Sequence, residues 1–488
     1  MTAAPRSRFG ARLLATLPAL YRGRDTQGEL AAYLDSMGQV LDGLHAQLQQ
    51  RLDDSFPDTC QDWLLPYFAQ LLDVQLVAAD VPRQRLEVAQ AVAWRQAKGT
   101  LRVAREITET VAGLEVVALR EGWQQVLRTA RVGETPHRPG LTASVHTPQR
   151  GLAPQDDPRQ RSVDTRHPDW QRGHHHPRRL LIFVKPPAGF VQTPLLDAAA
   201  GSLANRTVSW AQVRALLPDA FAPTPTVPPR PAAGAGKLIA VLRDESGTVC
   251  ISRRSGLAGS VQIRGDVTGL LENQAYRFEE VNLLGALKAP LGTHISLRRV
   301  AAQSVAIQTT GGKRGLRQET ELSDAGHWSG GIALHAVDSL MQSFSVPRGL
   351  VQLEACTVLA DSVAQTLNAS DCLLVGAVRR DLPRSSAGPA AGCLRYSRLA
   401  AAQDAGGCTV VAGSCCTDLP VFHAQATSAP AGGVLHPATS AAIRQGAEDG
   451  AELGAFNHRR HAWAWDAALH KLAEHMPLGM VAVLVPTT

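Results

Sequence analysis

Apolar positions along this chain follow two different periods. In the first 115 residues they recur at helical spacing, and beyond Lys237 they alternate in short runs. From Gln27 to about Phe56, Leu30, Leu34, Met37, Leu41, Leu44, Leu48 and Leu52 follow one another at steps of four and three. That spacing predicts one long helix with an a/d seam, which lines the core of a small bundle or contacts another copy or a partner. Asp58-Thr59 opens a second predicted helix carrying Trp63, Leu64, Tyr67, Phe68, Leu71 and Leu72, and Pro82 opens a third. The third closes with Val88, Val92 and Trp94 and runs into Ala93-Trp94-Arg95-Gln96-Ala97-Lys98-Gly99-Thr100. Gly99 supplies the positive φ that a helix C-terminus favours. Thr100 then caps a fourth helix, with Leu101, Ala104, Ile107, Val111 and Leu114 on one face and Gly113 as its stop.

After Leu114 the pattern turns to short strands, at Glu115–Leu119 and Trp123–Leu127. A polar stretch from Gly133 to about Arg179, rich in Arg, Pro, Asp and His, has too little apolar material for a core and reads as an extended arm. It ends in the buried-strand run Leu180–Val184. Pro218 to Gly236 is proline-rich and then Ala/Gly-rich, a stiff linker with a flexible end. From Lys237 to about Cys416 the reading is β throughout. Leu334–Met341, Leu353–Leu359 and Leu367–Leu374 look like copies of one unit, with Tyr276–Leu283 and Ile295–Val300 as weaker upstream copies. A unit of roughly 15 to 20 residues without a helix fits the coils of a β-solenoid, with a short-stranded β-sandwich as the competitor. Helical periodicity returns at Thr439–Arg444 and at Ala464–His475, and Met480–Val485 closes the chain as a strand.

The expected fold is therefore α+β and multidomain. It comprises a helical domain (1–132), a His/Arg/Pro-rich arm with short strands (133–217), a linker (218–236), a β-solenoid-like region (237–416) and a small C-terminal α/β segment (417–488).

Composition narrows the function classes. The chain has 488 residues, which leads us to expect about three domains. Hydrophobic residues make up 44%, enough for real cores, whereas 5% aromatic residues with 42 Gly and 30 Pro suit turns and tight rungs better than a large enzyme core. A formal charge of +6, spread along the chain, favours neither a nucleic-acid binder nor a membrane-surface protein. No run of about 18 apolar residues is present to span a bilayer. The short apolar run Leu13–Leu20 falls short of a signal peptide. Eight cysteines without CxxC spacing point to reduced thiols in a cytoplasmic protein.

Few residues offer chemistry. His174-His175-His176, with His167 nearby, sits in a polar loop with no spacing that sets tetrahedral ligands, so a solvated loop is expected. Glu448, Asp449 and Glu452 lie among glycines but lack a calcium-loop spacing, so a docking turn is the expectation. Ala235–Leu238 and Gly311–Arg314 fail the phosphate-loop pattern. Cys415 and Cys416 are adjacent, a spacing that strains a mutual disulfide. Asp338 and Asp371 recur at matching places of the β unit, with Thr357 expected between them, which argues against a row of catalytic acids. No catalytic, cofactor or metal residues are assigned. The helix-break-helix carries the one set singled out, Arg95, Lys98, Gly99, Thr100 and Arg102. It reads as a joint whose basic side chains contact acidic neighbours.

The block carrying Trp94-Arg95-Gln96-Ala97-Lys98-Gly99-Thr100-Leu101 resembles the phage tail protein I family, over about residues 10 to 125. Members are baseplate wedge subunits of contractile tails and of related extracellular contractile injection systems. Gly392–Ser397 and Gly446–Phe456 are similar to signatures recurring in large tail-associated proteins that join such a region to a repetitive β part. The resemblance implies a non-enzymatic structural component without cofactors. It implies other baseplate subunits and further copies of itself as partners, and neither nucleic acid, a membrane span nor a small-molecule substrate. The protein would be cytoplasmic, built into a tail-like particle released on lysis. The alternative is a β-solenoid tail-spike-like protein that binds or cleaves surface polysaccharide.

Overall fold

The computed structural model describes residues 7–121, 178–191, 205–217, 235–257, 260–308, 332–379, 391–400, 408–411 and 413–486. The expected strand at 123–127, the arm with His167 and His174–His176, nearly all of the 218–236 linker, and Gly311–Arg314 lie outside these residues. The protein mixes helix and sheet, with a helical N-terminal region and a large curled sheet. It divides into two compact units, Met1–Lys98 and Gly99–Thr488.

The first unit contains α1 (Arg8–Thr16), α2 (Ala19–Arg24), α3 (Glu29–Asp53), α4 (Leu65–Leu71) and α5 (Val81–Gln96). Ser7 caps α1 by accepting the Gly10 N–H, and its hydroxyl donates to Asp42 Oδ2 on α3 at 2.6 Å. The Arg8 and Phe9 N–H groups donate to the same carboxylate. One aspartate of α3 thus serves the open N-terminus of α1, where unpaired N–H groups favour an anion. Arg85 on α5 ties down the turn after α3 by donating to Cys60 O at 2.9 Å and to Asp62 at 2.9 Å. Asp80 and Pro82 start α5 as cap and first-turn proline.

The second unit opens with α6 (Leu101–Val111), capped by the Thr100 side chain and burying Val103, Ala104, Ile107, Thr108 and Val111. The helix stops short of Leu114, and Gly113, at φ 65°, turns the chain toward β1 (Val116–Glu121). β1 pairs antiparallel with β2 (Arg179–Val184), and the strand Val481–Pro486 adds in parallel on the other side of β2. The first and last described strands of this unit therefore share one small sheet.

The large sheet consists of two rows of strands. One row stacks Val249–Arg253, Ala275–Glu279, His294–Arg298 and Ile332–Val337. It continues through the second half of the long strand Leu340–Glu354 and of Ser362–Ser370 to Ala391–Arg395 and Cys408–Val410. The other row stacks Asn205–Ser209, Ser260–Arg264, Val281–Pro290 and Ala301–Gln308, then the first half of Leu340–Glu354. These pairings are parallel; the short strand Ile239–Arg243 adds antiparallel to Val249–Arg253 at one end. Inward residues such as Tyr276, Phe278, Ile295, Leu297, Leu334, Ala336, Val351 and Leu353 are completely buried. Alternation along each strand follows from the period of two.

A corner marks each passage from the first row to the second. Glu280, Arg299, Asp338, Ala355, Asp371 and Tyr396 adopt φ of 54, 54, 50, 48, 56 and 44°. The strand register brings the residues just before them, Glu279, Arg298, Val337, Glu354, Ser370 and Arg395, into one line. The residue matching Asp338 and Asp371 in the intervening coil is Ala355, which corrects the expected Thr357 by two positions. Just after the corner, Ser339, Cys356, Cys372 and Ser397 form a buried column. Ser397 Oγ donates to Arg395 O at 2.7 Å and accepts the Cys372 N–H at 3.1 Å. Cys372 Sγ donates to Ser370 O at 3.1 Å and accepts the Cys356 N–H at 3.4 Å. Ser339, Cys372 and Ser397 each bridge their own coil and the one before it, satisfying N–H groups that the corner takes out of the ladder, while Cys356 Sγ donates within its own coil to Glu354 O at 3.3 Å. Burial and the neighbouring Cys356 push the Cys372 thiol well above its ordinary range.

Candidate assembly interface

The predicted long helix is present as α3, and its seam is bare. Gly38 is the one residue of this 25-residue helix that is buried. Met37, Leu41, Leu44, Leu48 and Leu52 are 48, 39, 52, 67 and 62% exposed, while Leu30 and Leu34 are half-buried. The face that α1 covers is a different one, centred on Gly38, Asp35 and Asp42. Gly10 of α1 crosses directly over Gly38, so the two backbones touch where side chains would separate them. The hydroxyl of Ser7 holds the Asp42 carboxyl below its ordinary range.

Other large apolar side chains of the first unit add to the exposed set. Tyr33 and Val40 lie on α3, and Trp63, Tyr67 and Leu71, on α4 and just before it, are 61, 63 and 80% exposed. The Trp63 and Tyr67 rings meet edge to face at 6.3 Å. The sequence pattern found these residues as helix formers; it carried no sign that they would remain uncovered. Exposed apolar side chains of this size are a feature of surfaces that other proteins cover.

The residues singled out at the break are placed as follows. Arg95 donates to Leu72 O at 2.6 Å and to Asp73 O, and pairs with the Asp73 carboxylate at 3.7 Å, so its guanidinium joins α5 to the end of α4. Lys98 is exposed. Gly99, at φ 84°, donates its N–H to His475 O at 3.0 Å. Thr100 accepts the Val103 N–H at 3.4 Å as the α6 cap. Arg102 is exposed and pairs along α6 with Glu106 at 3.5 Å.

Residues 26–167 match the family model for phage tail protein (Tail_P2_I). The matched segment begins just ahead of α3 and contains the bare seam, the break and α6. Comparison with curated proteins and with solved structures gives no match.

The acids flagged in the β region have structural partners. Asp338 meets His458 Nδ1 at 3.2 Å and Arg299 at 3.8 Å. Asp371 Oδ1 accepts the Glu448 N–H at 2.8 Å, and its carbonyl accepts the Gly454 N–H at 2.8 Å. Thr357 Oγ1 accepts the Ala455 N–H at 3.0 Å. Phe456 packs against Phe190 with ring centroids 4.9 Å apart. The glycine-rich 446–456 segment is therefore laid along the column of corners, held through its backbone N–H groups. Among the described residues, no cluster of His, Cys, Asp and Glu is arranged to hold a metal ion, and no helix is long and apolar enough to cross a membrane.

Proposed function

We propose that this chain is a structural wedge component of the baseplate of a phage-like contractile tail or contractile injection system. The observation that carries this reading is the uncovered a/d seam of α3, within the segment that matches the phage tail family. A helix of this length with one buried residue gains little from its own unit, and the apolar stripe gives a neighbouring subunit a surface to cover. Met37, Leu41, Leu44, Leu48 and Leu52 are already partly covered, so burying what remains contributes about half of the roughly 1.5–3 kcal/mol that a fully exposed side chain gains. The partners are other tail subunits and further copies of this chain. Lys98 and Arg102, both exposed, are contacts to acidic neighbours, with Gly99 at positive φ and Thr100 capping α6 between them.

The curled sheet is read as a β-solenoid, supported by the stacked parallel coils, the column of left-handed corners and the Ser/Cys column behind them. Its place in the particle is as a projecting, rigid body rather than a catalytic one. Particles purified from cells that encode the chain test the proposal. The chain should sediment with intact tail-like particles at fixed stoichiometry, and particles that form and contract without it would refute the wedge role.

A further inference from the structure

Glu452 is the acidic residue of the 446–456 segment that turns away from solvent. It is 1% exposed. Its Oε2 accepts the Ala462 N–H at 2.8 Å, in the first turn of the helix His461–His475, here α10. The His461 N–H lies beside it as well. The residue preceding α10, Arg460, sits at φ 51° and provides no side-chain cap, so the glutamate from a different segment takes that role. Oε1 is buried and has no hydrogen-bond partner. A carboxylate in that position leaves half of its charge without a donor, a costly arrangement that a proton relieves.

The groups around it do not remove that cost. Arg444, from the short helix Ala441–Arg444, attracts the carboxylate, but its Nη2 is engaged with Asp466 of α10 at 2.5 Å and its Nε is buried without a hydrogen-bond partner. Asp449 of the same segment pairs with Arg460 at 3.3 Å. His423, His436 and His461 line a small cleft together with Arg444, Ala462 and Trp465. Burial outweighs the attraction of Arg444, and the carboxyl is pushed up to about 7.

We infer that Glu452 is a proton-operated latch, tying the glycine-rich segment on the corner column to the first turn of α10 and holding more firmly when protonated. The same segment is fastened on its other side through Asp371 and Thr357. Loosening Glu452 therefore acts on a piece that bridges the curled sheet and the C-terminal helix. The sign follows from linkage: a carboxyl raised on folding favours the folded state at low pH, and that advantage fades as pH rises from about 4.5 to above 7.

The test compares the full-length chain with Glu452→Gln, which keeps the acceptor for Ala462 and cannot ionise. The unfolding equilibrium constant of the second unit, from urea titration, should rise by roughly a hundredfold from pH 5 to pH 8 in the wild type relative to the variant. Parallel pH profiles for the two proteins would overturn the latch. Infrared spectra of the wild type give a reading that does not depend on the variant folding. A protonated carboxylic acid band should be present at pH 6 and vanish by pH 8. A spectrum without that band at pH 6 would equally overturn the proposal.

Discussion

Gly10 and Gly38 meet backbone to backbone: a Cβ built on Gly38 would lie 2.1 Å from the Gly10 nitrogen and 2.4 Å from its Cα. This contact determines which face of α3 is closed by its own chain and which remains open. Gly38→Ala therefore forces α1 away from α3 without touching the leucine seam. The expected cost is about 1–3 kcal/mol, the range of overpacking a tight contact. Chemical unfolding of the first unit followed by circular dichroism measures it. Gly43→Ala on the same helix, where a Cβ meets nothing within 4 Å, is the control and should be neutral or slightly stabilising.

The Asp42 carboxylate gives the same hairpin an acid limit. Its carboxyl is held low chiefly by the Ser7 hydroxyl, so its contribution is complete above the unfolded value near 3.8 and is lost as pH falls through the lower folded value. Asp42→Asn should destabilise the first unit at pH 7, and the difference from the wild type should shrink as pH falls below 3.8. A constant difference between the two across that range would contradict the assignment.

In the corner column, Cys372 supplies both an acceptor and a donor. Cys372→Ser retains both and is expected to be tolerated. Cys372→Ala leaves the Cys356 N–H buried without its acceptor and should cost about 1–3 kcal/mol. Thermal melting of the two variants side by side separates loss of the bridge from loss of the thiol.

The helical N-terminal region is legible because amphipathic periodicity is a local property: α3, α5 and α6 fall where the leucine, valine and capping positions place them. The seam was legible as well, but its exposure was not, since covering a stripe depends on what packs against it. In the β region the alternation was visible while the register was not. Sliding one coil by two residues preserves the inward and outward faces, which is how Thr357 came to stand where Ala355 belongs. Hydrogen bonds and the left-handed corners fix the register, and neither leaves a mark in apolar spacing. Thr357 turned out to have another task, as the acceptor for the Ala455 N–H. Glu452 was visible only as one member of an acidic group; its burial against α10 is a tertiary fact.

Lys98 and Arg102 test the electrostatic part of the interface. Reversing both to Glu should weaken incorporation into particles, and more so at low ionic strength, because exposed charges are screened by salt. Folding of the isolated chain should be unaffected, since both side chains are exposed.

Leu44→Asp with Leu48→Asp places two charges on the α3 seam that a neighbouring subunit is proposed to cover. Both side chains are more than half exposed in the chain alone, so the double variant should keep the helical content and melting behaviour of the wild type. The measurement is the amount of chain recovered in sedimented tail-like particles. The variant should be almost absent from particles with its fold intact; recovery at the wild-type level would mean that no subunit covers the seam.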